Sequence, residues 1–145
     1  MIEKKIESIT VLEGLFFYLK VEQDKGRRVF IPYSTPIFHK VIHQLAKKKK
    51  YQVFFSELLW QKRIFGPYCK TIEDYLSNMV MSGMISWVDT FSVPNTSYYV
   101  IQKKLSLCWE KYHQEEEKEY GSLLKKLALD FIKAVNKEFE KVKFK

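Results

Sequence analysis

Between Tyr68 and Ile101 the hydrophobic period changes once, and that change limits the folds open to the chain. Ile72, Leu76, Met79 and Gly83 recur at intervals of four, three and four, which places them on one face of a helix running from about Tyr68 to Ser82, with Gly83 as its C-cap. Beyond Gly83 stand the β-prone residues Ile85, Trp87 and Val88, then a polar Pro94-Asn95-Thr96-Ser97 turn, then Tyr98 to Ile101. Such a switch from a period of 3.6 to strand-like residues predicts a helix that hands over directly to a two-stranded hairpin, and so an α+β class.

Upstream, Ser34-Thr35-Pro36 is a good helix start, with a hydroxyl at the cap and proline in the first turn, where its missing N–H is not needed. Phe38, Val41, Ile42 and Leu45 form one apolar face, and Lys47 to Lys50 close the helix at the negative end of its dipole, with phosphate binding as the alternative role for the four lysines. Ser56 reads as the cap of a further helix through Leu58, Leu59 and Trp60 that stops by Gly66-Pro67. In the first third, Phe17 to Gln23 and Arg27 to Tyr33 are β-prone runs joined by Asp24-Lys25-Gly26, which predicts an N-terminal β-hairpin. A short helix from about Ser8 to Lys20 competes, because Thr10 and Glu13 have capping-box spacing, although Gly14 and the aromatic run oppose it.

From Leu105 to Lys145 the apolar residues Tyr112, Tyr120, Leu124, Leu127, Phe131, Val135, Phe139 and Val142 recur at helical intervals, with Gly121-Ser122 as a candidate interruption. An unbroken helix over this stretch would be about 60 Å long. Part of its stripe then needs a second chain or a fold-back. The chain divides on this reading into an N-terminal extension over 1–34, a central unit over 35–104, and a C-terminal helical segment over 105–145 that could pair two subunits.

The order of helix, Ser-capped helix, tight turn, helix and hairpin resembles the winged helix-turn-helix superfamily. The residues that carry it are Phe55-Ser56-Glu57-Leu58-Leu59 for the support helix and Leu76, Met79, Gly83 and Ile85 for the end of the recognition helix. Gly66-Pro67-Tyr68 before that helix is similar to a GPYS-type subgroup of archaeal, bacterial and phage-associated regulators, with Cys69 where serine would stand. The resemblance covers roughly residues 36 to 104. It implies a DNA-binding transcriptional regulator acting as a dimer on double-stranded DNA. Because winged helices also bind proteins, an interaction module, either antitoxin-like or a phage-encoded inhibitor of a host nucleic-acid enzyme, is the alternative. A third option is sequence-indifferent binding to nucleic acid through lysine alone.

The formal net charge of +8 is unevenly spread. Residues 35 to 104 carry ten basic and four acidic groups, against six and five before them and nine and eight after. A polyanion is the natural partner of that middle segment. Only Arg27, Arg28 and Arg63 among the 25 basic residues are arginine, so backbone attraction is better provided for than guanine readout. Turning 100° per residue from the apolar face, the recognition helix should show Lys70, Thr71, Asp74, Ser77, Asn78 and Met81 to solvent. Thr71, Ser77 and Asn78 could read base edges, while Lys62, Arg63, Tyr68, Lys70, Lys103 and Lys104 flank them as phosphate contacts. Glu73 and Asp74 oppose this, and the wing tip from Asp89 to Ser97 has no basic residue.

Other chemistry is not expected from the residues present. His39 and His43 are four apart, but Lys40 stands where an HExxH motif needs glutamate, and both read as solvent-facing polar residues rather than metal ligands. Glu115, Glu116, Glu117 and Glu119 read as a solvated acidic patch. Cys69 and Cys108, far apart and without CxxC spacing, read as buried free thiols in a reducing, cytoplasmic setting. No phosphate loop or nucleophile motif is present, so neither catalysis nor a cofactor is expected. With no apolar run approaching about 20 residues, a membrane span is not expected either.

Overall fold

A computed structural model describes residues 6–32, 35–88 and 97–143; the Ser34 cap and most of the expected wing turn lie outside the described residues. Among the described residues there are six α-helices and two small antiparallel two-stranded sheets, a mixed α+β architecture. The order is α1 (Ser8–Asp24), α2 (Thr35–Ala46), a 3-10 turn (Lys49–Tyr51), α3 (Gln52–Phe55), β1 (Gln61–Arg63), β2 (Gly66–Tyr68), α4 (Lys70–Met81), β3 (Ile85–Val88), β4 (Tyr98–Ile101), α5 (Lys103–Tyr112) and α6 (Gln114–Lys143).

The expected N-terminal hairpin is a helix instead. Val11, Leu12, Leu15, Phe16 and Leu19 are all fully buried, and their spacing of one, three, one and three is a helical stripe that outweighs the β propensity of the aromatic run. Gly14, which argued against a helix, is the reason two other helices can approach this one. A Cβ at position 14 would lie 2.8 Å from both Leu124 Cδ1 and Trp109 Cη2. Only the second half of the expected hairpin is extended: Tyr99 donates its N–H to the Ile31 carbonyl at 2.8 Å, and Pro32 bridges to Tyr98.

The helix expected from Ser56 to Gly66 is also absent. Ser56 is the C-cap of the four-residue α3, and Gln61, Lys62 and Arg63 pair with Tyr68, Pro67 and Gly66 in a hairpin. Its turn is Ile64-Phe65. Of the apolar residues in this stretch Leu58 and Trp60 pack on the core, whereas Leu59, Ile64 and Phe65 are exposed. Gly66 has a φ of +119°, so the left-handed conformation in this tight connection falls on glycine, and positions 64 and 65 are open to bulky residues.

The C-terminal stripe is resolved by fold-back. The break falls at His113, the C-cap of α5, whereas Gly121 and Ser122 stay helical inside α6. Leu124, Leu127, Ala128, Phe131, Ile132 and Val135 of α6 are buried, packed on α1 and α2 of the same chain. Residues from all three sequence segments thus share one hydrophobic cluster. Charge follows packing: Lys40 pairs with Glu138 at 3.0 Å, and Lys48 and Lys50 reach Asp130 at 3.8 and 3.1 Å. Burial raises the Asp130 carboxyl pKa, but the Tyr51 hydroxyl, which donates to it at 2.6 Å, and the two lysines outweigh this and hold it below the usual value. Two of the four lysines at the end of α2 are therefore tied to α6.

Candidate nucleic-acid interface

Helix α4 is amphipathic in the way its sequence dictates. Ile72, Tyr75, Leu76 and Met79 are buried, and Lys70, Thr71, Asp74, Ser77, Asn78 and Met81 are all exposed. The outward face expected from the period of 3.6 is therefore the face that exists. Gly83, expected on the inward face, is exposed at the end of the helix.

Beneath the start of α4 the structure departs from the sequence expectation. His39 of α2, read as a solvent-facing residue, is 1% exposed. Its Nδ1 accepts the Cys69 N–H at 3.0 Å, and its Nε2 lies 3.1 Å from Glu73 Oε2. Because Nδ1 is an acceptor here, the ring proton sits on Nε2 and is donated to the carboxylate. Burial lowers the imidazole pKa below its ordinary 6.5; Glu73 opposes that shift and Arg63 adds to it. The Tyr68 ring stacks on His39, with centroids 4.9 Å apart and planes 19° apart, and the Arg63 guanidinium lies over the other ring in the pile, 3.8 Å from the Tyr68 centroid. Arg63, Tyr68 and His39 form one column that fixes the β1–β2 hairpin to α2 and sets the entry into α4.

Two consequences follow for the residues expected to bind DNA. Glu73, which opposed a DNA-facing helix, is part-exposed and bonded to His39, and Asp74 is the exposed carboxylate of α4. Lys62 and Arg63 on β1, Tyr68 on β2, and Lys70 and Thr71 in the first turn of α4 come together at one end of the helix. Lys103 and Lys104 open α5 at the other end, where Lys104 Nζ donates to the Ser82 carbonyl at 2.6 Å. Ser77 and Asn78 lie between them. A 12-residue helix is about 18 Å long, so cations bracket a short polar helix face at its two ends. Neither Lys62 nor Lys70 has a carboxylate within ion-pair distance among the described residues.

Sequence reasoning missed three contributors to this surface. His39 carried a signal, since it stands three residues before buried Ile42 and thus on the inward stripe of α2. Trp87 is half-exposed beside the outer side of α4, where it borders a groove with Glu73, Ser77 and Met81. The Ile64-Phe65 turn was hidden by the assumption of a helix. Cys69 is buried and Cys108 half-buried, and both are free thiols. Among the described residues no group of three His, Cys, Asp or Glu side chains is placed to hold a metal, and no helix is long and apolar enough to cross a membrane. No family model, curated protein or solved structure matches the chain.

Proposed function

We propose that this chain is a winged-helix DNA-binding protein, a small transcriptional regulator that lays the outward face of α4 in the major groove of duplex DNA. In this reading α2, α3 and α4 are the three helices of the motif, β3 and β4 are the wing, and β1–β2 is an added hairpin before the recognition helix. The observation that carries it is the exposed face of α4, with Thr71, Ser77 and Asn78 between the cations Lys62, Arg63 and Lys70 at one end and Lys103 and Lys104 at the other. Asparagine suits adenine, the hydroxyls suit thymine or phosphate, and the cations suit the backbone on either side of the groove.

The dimer expected from the C-terminal helix loses its main motive, because the stripe from Leu124 to Val135 is buried within the chain. A single copy is the proposed binding unit. Duplex binding measured over a salt series tests the reading. The Lys62→Ala/Lys70→Ala double variant should bind more weakly and lower the slope of log affinity against log salt by close to two, about 0.9 for each phosphate no longer neutralised. No binding at low salt, or an unchanged slope, removes the proposal. Asp74 and the exposed Met81 on the same face favour a second reading, in which α4 docks on a protein; stoichiometric capture of a protein partner, with no affinity for duplex, would select it.

A further inference from the structure

Ile64 is 97% and Phe65 78% exposed, and together they are the whole turn of the β1–β2 hairpin. We infer that this turn is an apolar wedge that enters duplex DNA beside α4 and unstacks one base step. The inference rests on the DNA-binding reading of α4 and adds to it a deformation of the duplex.

Three features support a wedge. The tip is open to solvent at both side chains, and Phe65 overhangs a hollow of about 300 Å³ whose other walls include Pro36, His39, Pro67 and Tyr68. The base of the hairpin is fixed, since Arg63 lies on Tyr68, Tyr68 on His39, and His39 is bonded at both nitrogens. A tip held this way inserts without first being ordered. Third, the cations Lys62 and Arg63 on β1 run directly into the two apolar side chains. A surface that offers an apolar slot between closely spaced negative charges meets that arrangement, and a base step between its phosphates is such a surface. Phenylalanine and isoleucine are among the side chains that proteins insert between base pairs, and insertion bends the duplex away from the wedge. Pyrimidine–purine steps, which unstack most easily, are the expected target.

The test uses the full chain and a short duplex with 2-aminopurine at a central TA step, a donor and acceptor dye at its ends, and low salt. Binding of the wild-type protein should raise 2-aminopurine fluorescence and shorten the distance between the dyes. The Ile64→Ser/Phe65→Ser variant should melt at the wild-type temperature, bind about 10- to 100-fold more weakly, as expected when base–aromatic stacking is removed, and leave 2-aminopurine dark when saturated. Phe65→Leu should keep the rise. Wild-type binding with no rise in fluorescence overturns the wedge and leaves DNA binding standing. Absence of any binding overturns both. A protein partner that co-purifies with wild type and is lost with the double serine variant, alongside a silent duplex, assigns the tip to a protein surface and also overturns the wedge.

Discussion

The junction of α1, α5 and α6 and the edge formed by β1, β2 and α4 are built from the same kinds of side chain, used in opposite ways. At the junction Glu13, Tyr18, Trp109, His113 and Glu117 are turned toward one another. Glu117 accepts from Trp109 Nε1 at 2.9 Å and from the Tyr18 hydroxyl, and His113 Nε2 lies 3.0 Å from Glu13. Trp109 stacks on His113 and on Phe17. Burial raises the Glu13 carboxyl above its usual value against the pull of His113. At the edge, Lys62, Lys70, Ile64, Phe65 and Asn78 face solvent. Carboxylate and aromatic groups close the first region on itself, whereas the second leaves charge and apolar surface open. The placement of these groups, inward at the junction and outward along much of the edge, separates the two regions more than composition does.

The sharpest way to break the comparison is to hollow out the scaffold. Trp109→Ala removes a fully buried ring from between Gly14 and Glu117 and should cost about 3–5 kcal/mol in urea unfolding. If the two regions are separate in function, duplex affinity measured well below the melting temperature should stay near wild type. A loss of affinity in the folded variant would join them.

His39 stands between the two regions, under the edge but sealed like the scaffold. His39→Phe keeps a ring beneath Tyr68 but orphans the Cys69 N–H and the Glu73 carboxylate, and should cost about 1–3 kcal/mol. It should also change the response to pH. The imidazole is held below 6.5 in the folded chain, so the unfolded chain binds that proton more readily. The stability from this difference is complete above about pH 6.5 and is lost as the pH falls toward the folded-state value. Urea midpoints should therefore drop faster with acid for wild type than for His39→Phe. Parallel curves would show that His39 does not titrate in this window.

The smallest effect tests the edge itself. Asp74→Asn removes the exposed carboxylate of α4 and should strengthen duplex binding by a factor of about two to five at low salt, less when salt is added, as for a screened surface charge. Weaker binding would mean that Asp74 makes a specific contact, such as accepting from a cytosine amine.

Legibility in the sequence followed the same division. The outward face of α4 could be read residue by residue because its period is clean from Ile72 to Met79, and β3 and β4 followed from the change at Gly83. The α1 stripe was equally periodic, yet aromatic and branched residues pointed to strands, and only burial against α6 decides between them. The hairpin was not legible because its stability comes from outside it: the Arg63, Tyr68 and His39 column joins residues up to 29 positions apart. The same holds for Glu73, whose orientation depends on a histidine in another helix. Local patterns gave the surface of α4, and long-range packing determined what stands beside it.

The packing of α1 on α6 has a kinetic side. The two helices are about 100 residues apart in the chain, as the Tyr18 to Glu117 bond illustrates, so the cover of the α1 stripe is not complete until α6 is present. Contacts of such sequence separation close late and slow folding. While the chain is being made, Phe16 meets Phe38 of α2 early, but the part of α1 that packs on α6 stays uncovered in a chain halted before Leu124. The docking of α6 on α1 should therefore be a late step of refolding, and the chain with α6 undocked is the form at risk of self-association.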